Sequence, residues 1–193
     1  MNWDFINNYL IILNVASFIL FTINTLLYKY TEKGQIDTLL TIVSLLGGAF
    51  GIVLAILIMD RKPAKENMMS RVFVICVLIV QIIIFLFLNG VHGQSITFAF
   101  NDFFAENRLF VIYLLVLNIA TFITFGLDKY KAIKKCPRIR IVTLLVLAFL
   151  GGTIGGLLAM YLFSHKTQKD YFTVGMPMIL VTQILLIFYV MNL

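Results

Sequence analysis

The sequence predicts an all-α polytopic membrane protein, with six transmembrane helices arranged as two three-helix inverted repeats. Three observations carry this expectation. The 193 residues are 61% hydrophobic and only 12% charged, with a mean hydropathy of +1.00. A soluble chain is closer to half apolar and a quarter charged, so this composition needs lipid as its solvent. Apolar segments of membrane-crossing length recur along the whole chain, and the second half repeats the first.

Taken in order, the segments are Leu10 to Tyr28, Thr38 to Met59, Val72 to Leu88, Leu109 to Leu127, Ile141 to Phe163 and Val174 to Met191. At ~1.5 Å rise per residue each is long enough for a hydrocarbon core ~30 Å thick. Ahead of the first, Met1 to Tyr9 has no Lys or Arg, carries Asp4 and lacks a small-residue cleavage pattern. No cleaved signal peptide is expected.

Sliding the sequence against itself by 104 positions aligns Leu10 to Phe21 with Leu114 to Phe125, seven of twelve residues being identical. Asn14 meets Asn118, and the same offset pairs Gly47, Gly48 and Gly51 with Gly151, Gly152 and Gly155. It also pairs Ala55 with Ala159, Lys62 with Lys166 and Lys65 with Lys169. Apolar bias alone does not align glycines, asparagines and lysines, so the pattern reads as duplication of one three-helix unit. The expected organisation is a first repeat over 1–89, an interfacial connector over 90–107 and a second repeat over 108–193. The connector sets Ile96, Phe98, Phe100, Phe103 and Phe104 around Asp102 and Glu106, a composition suited to the headgroup zone.

Three crossings per unit would insert the second unit upside down relative to the first. Lys and Arg then divide ten to five between the two sides, with both termini on the richer, cytoplasmic side. An alternative is four spanning helices plus two re-entrant glycine hairpins, formed by Thr38 to Met59 and Ile141 to Phe163. It divides the same charges fourteen to one. Continuous helices are favoured because a backbone turn at Gly47 or Gly151 would leave polar groups at membrane depth.

Gly47, Gly51 and Ala55 lie on one helix face, as do Gly151, Gly155 and Ala159, and such faces let helix backbones approach closely in lipid. They are assigned to helix packing, with a crossing of the two glycine helices as the expected contact. Asn14 and Asn118 place an amide inside a span, where it must bond to another helix. Asp128, Lys129, Arg138, His165, Lys166 and Lys169 flank the fourth and fifth spans. With the two asparagines they form the candidate binding set. Cys76 and Cys136 have no spacing for a metal or a local disulfide.

The string LDKYKAIKKCPRIRIVTLLVLAFLGGTIGGLLAMYLFSHKTQKDYF resembles the bacterial family called domain of unknown function 1294. That pattern runs from an Asn-containing helix through Asp-Lys, Ala, Arg-Ile-Pro-Glu, Gly-Gly and His-Lys-Thr to Phe. Asn118, Asp128, Lys129, Ala132, Arg138, Ile139, Gly151, Gly152, Gly155, His165, Lys166, Thr167, Lys169 and Phe172 match, across about the last 85 residues. Arg140 and Ile141 stand where the family has Pro-Glu. The first half keeps Asn14 and the glycines, but has Asn24 and Thr25 for Asp128 and Lys129, and Arg61 for His165. The resemblance implies a small membrane protein without an agreed activity, some of whose relatives are joined to a cold-shock domain.

No His-Glu-x-x-His, Gly-x-Ser-x-Gly or phosphate-cradling loop occurs, so no catalytic residue, metal or cofactor is assigned and enzyme activity is not the favoured expectation. Opposed repeats with glycine-rich helices suggest a small transporter or channel-like protein for an anionic solute or lipid headgroup. The alternatives are a non-transporting lipid-binding or scaffold protein and a lipid-phosphate enzyme using His165. Membrane lipids and a homo-oligomer are the expected partners, without nucleic acid. The expected location is the bacterial cytoplasmic (inner) membrane.

Overall fold

The computed structural model describes residues 3–31, 37–60, 67–91, 93 and 96–193. Among them every regular element is helical, and six helices are long and apolar enough to cross a membrane. The chain divides into two compact units, Met1–Ile82 and Ile83–Leu193.

In the first unit α1 (Trp3–Thr31) and α4 (Met68–Leu88) are single long helices. Between them α2 (Asp37–Val43), a tight segment Ser44–Gly48 and α3 (Ala49–Met59) form the glycine segment. Gly47 stands at φ 127°, ψ −1°, outside the helical region and costly for any residue with a Cβ, so the helix breaks there. Going along α1, Tyr9 bonds to Leu46, Asn14 to Gly51 and Thr22 to Met59. Partner numbers rise together, so α3 runs parallel to α1. Since α2 joins the far end of α1 to the start of α3, it must run back along it. Leu40 of α2 accordingly shares one buried cluster with Ile52 of α3, packed beside Phe21.

The second unit has the same plan. Its long helices are α6 (Arg108–Ile133) and α10 (Gly175–Met191). The glycine segment comprises α7 (Ile141–Leu147), the tight segment Ala148–Gly152 and α8 (Thr153–Leu162), broken at Gly151, where φ is 127°. Along α6, Tyr113 bonds to Leu150, Asn118 to Gly155 and Asp128 to His165, again a parallel register. Ile139, just before α7, bonds to the same Asp128 carboxylate as His165, just after α8. A straight 22-residue helix would hold its ends ~33 Å apart. Both feet of this one meet on a single side chain.

The glycine segments are therefore helical hairpins, and the continuous crossings expected for Thr38 to Met59 and Ile141 to Phe163 are corrected. The physical reason lies at Gly47 and Gly151, whose positive φ terminates one helix and redirects the chain into the next. The inverted-repeat arrangement required every segment to cross, and that premise falls with the continuous helices. In the connector region, α5 (Phe100–Glu106) precedes α6, while α9 (Asp170–Thr173) precedes α10. Asn192, beyond the end of α10, bonds through its side chain to both backbone groups of Thr97.

Candidate functional site

Asp128 ends the apolar face of α6 and is fully buried. Its Oδ1 accepts the Ile139 backbone N–H at 2.9 Å. Its Oδ2 accepts from His165 Nε2 at 2.8 Å and from Lys166 Nζ at 2.7 Å. A buried carboxylate is costly unless it is paired and hydrogen-bonded, and here both oxygens are satisfied by charge-capable or backbone donors. Lys166 adopts φ 63°, which turns the chain so that neighbouring side chains at 165 and 166 converge on one target. Its ammonium also lies 4.9 Å from the centre of the Phe172 ring, and Phe172 packs edge-on against Phe125. Burial holds the Lys166 amine below the usual lysine range, and the charge of Arg138 acts the same way; the Asp128 carboxylate opposes both. Chemically this is a clasp. It fastens the start and the end of the hairpin to α6, and it leaves no free carboxylate oxygen to act as a base.

The hairpin tip forms a second polar cluster, its α6 residues lying about 15 to 22 Å along the helix from Asp128 at the helical rise. Four successive carbonyls at the break accept side-chain donors. Ala148 and Phe149 accept from Gln183 Nε2 at 2.7 and 3.1 Å. Leu150 accepts from the Tyr113 hydroxyl at 2.8 Å, and Gly151 from Asn118 Nδ2 at 2.9 Å. Asn118 Oδ1 then caps the new helix by accepting Gly155 N–H at 2.7 Å. The first unit repeats the set with Gln81 on Ser44, Tyr9 on Leu46, and Asn14 on Gly47 and Gly51. The objection to a turn at membrane depth is thus met by the protein itself.

Of the residues expected to form one binding set, the structure joins Asp128, His165 and Lys166. Asn118 lies ten positions earlier in α6 and belongs to the tip, as Asn14 does in its unit. Lys129 is half-buried, while Arg138 and Lys169 are exposed. Gly47 and Gly151 are turn residues. Gly51 and Gly155 approach so closely that a Cβ would strike the backbone carbonyl of Asn14 or Asn118, and Ala55 and Ala159 are fully buried. Each glycine face packs within its own unit. Arg61, Lys62 and Lys65, which the repeat aligns with His165, Lys166 and Lys169, lie outside the described residues. Sequence reasoning missed Tyr113, Gln183, Tyr9 and Gln81. Tyr9 and Tyr113 stand at the repeat offset of 104, and Gln81 and Gln183, 102 apart, are polar side chains inside the apolar third helix of each unit. Among the described residues no group of three or more His, Cys, Asp or Glu is placed to hold a metal.

The family model described as Protein of unknown function (DUF1294) matches residues 118–172, the stretch from the tip amide to the ring beneath the clasp. The uncharacterized protein YsdA of Bacillus subtilis (strain 168) is 37% identical over 75 residues, 39% of this chain and 84% of that protein. No solved structure matches.

Proposed function

The chain belongs, through its second unit, to the DUF1294 family of unknown function, and on that footing we propose a channel- or transporter-like protein of the bacterial cytoplasmic membrane that handles an anionic solute. Each unit crosses twice and carries one re-entrant hairpin. The hairpin feet and their basic loops face the cytoplasm, which gives the fourteen-to-one division of Lys and Arg. Both termini then lie on the outer side, the reverse of the placement drawn from six crossings. The observation that carries the reading is the Asp128 carboxylate bonded to both feet of the second hairpin. Backbone that dips into the bilayer and returns is tolerated where protein or a water-filled path covers it, and such elements line solute paths in many transport proteins. Exposed Arg138 and Lys169 beside the feet supply a cationic entrance.

The test is flux in proteoliposomes with a panel of inorganic and small organic anions. Saturable flux that falls at least tenfold in Arg138→Gln/Lys169→Gln, both exposed and outside the clasp, supports the proposal. Equal leakage from protein-containing and protein-free vesicles across anions and cations overturns it. A lipid-binding scaffold is the second reading, and one observation favours it: the tip carbonyls already carry side-chain donors and offer no open backbone to a passing ion. Absent flux with a tightly retained anionic lipid would decide for the scaffold.

A further inference from the structure

The first unit contains a cavity of about 460 Å³ bounded by α1, α2, α3 and α4, a volume in the range of small-molecule sites. Its inner wall is apolar, with Phe21, Leu40, Ile52, Ile56 and Val74 among the lining side chains. Its other end is polar and lies where α3 stops and α4 starts. There Asp60 and Arg71 form an ion pair at 2.8 Å, and Asn67 donates to the same carboxylate at 2.6 Å. Arg71 also bonds to the Asp60 carbonyl. Both charged side chains keep part of their surface open, 29% for Asp60 and 15% for Arg71.

The second unit sets buried methionines at the corresponding place. Aligned on the glutamines that serve the two tips, Gln81 and Gln183, α4 and α10 stand 102 apart, so Met176 replaces Val74, while the offset of 104 puts Met160 at Ile56; both methionines are fully buried. The cavity is therefore a feature of the first unit's own side chains and not a general property of the hairpin plan. An apolar slot ending in a paired carboxylate and guanidinium is complementary to an amphiphile whose head also carries both signs. An anionic head would gain Arg71 but meet Asp60, and a cationic head the reverse. The pair lies at helix ends, the depth at which lipid heads reside.

We propose that this cavity binds one zwitterionic lipid of the phosphoethanolamine class, one chain inside and the head against Asp60 and Arg71. The proposal stands apart from transport. It is tested on the full purified chain, incubated in mixed phosphatidylethanolamine and phosphatidylglycerol micelles and examined by native mass spectrometry. One phosphatidylethanolamine per chain is expected. Retention should fall at least fivefold in Ile56→Met/Val74→Met, which installs the second unit's residues. If that variant does not fold, Val74→Met, a single filling change, replaces it, with a melting curve as the check. Wild type free of lipid, equal retention of phosphatidylglycerol, or unchanged retention in the folded filling variant would each overturn the proposal.

Discussion

Replacing Asp128 with Asn removes a charge while keeping the shape of the clasp. The amide oxygen can still accept the Ile139 N–H, so that foot stays tied. The Lys166 ammonium, whose side chain is only 13% exposed, loses its counter-charge at 2.7 Å and still faces Arg138. Breaking a buried pair by removing one partner costs about 3–5 kcal/mol, and partial access of Lys166 to water puts this case near ~3 kcal/mol. That is roughly a 150-fold shift toward an open foot. The readouts are thermal melting of the helical signal in detergent and amide exchange over residues 160–170. Combining Asp128→Asn with Lys166→Met removes the orphaned charge and should restore at least half of the lost stability. An Asp128→Asn protein within ~0.5 kcal/mol of wild type, or a double variant no better than the single one, would refute the clasp.

Three further outcomes follow from the same geometry. Gly151→Ala forces a Cβ onto a residue at φ 127° and against the Leu114 side chain, so melting should show a loss of about 1–3 kcal/mol; Gly155→Ala, whose Cβ would meet the Asn118 backbone, should lose more. A membrane-impermeant thiol reagent should reach Cys136 and an engineered Ser164→Cys from the same side, and Phe98→Cys from the other; opposite-side labelling of the first two restores a continuous helix. Burial keeps the Lys166 pKa below the ordinary lysine value, so between the two values the unfolded chain binds more protons. Stability should therefore rise with pH in that alkaline window, and Lys166→Met should lack this rise when its melting is compared with wild type from pH 8 to 11.

The membrane class and the six apolar segments were legible because hydropathy acts on length and composition alone. The course of the glycine segments was not, although the charges favoured hairpins fourteen to one. Unpaired carbonyls are costly at membrane depth, but the donors that pair them here are brought together only by the fold. Tyr113, Asn118 and Gln183 come from two different helices, and only the folded chain shows that they converge on Leu150, Gly151 and Ala148. The clasp was half legible. The motif supplied Asp128, His165 and Lys166, but spacing along the chain could not reveal that one carboxylate serves both ends of the hairpin. Nor could it show the cavity, which depends on the volumes of Asn67, Ile56 and Val74 taken together.

The donors at the hairpin tip also impose an order on biogenesis. Phe149 leaves the ribosome 34 residues before Gln183, the side chain that satisfies its carbonyl. Until α10 has been synthesised, this carbonyl stays open at the nascent tip, and its burial in hydrocarbon would cost several kcal/mol. The newly made hairpin therefore waits at the aqueous surface, and the arrival of the last helix draws it in. Insertion of the unit is completed from its C-terminal end, with a single glutamine as the component added last.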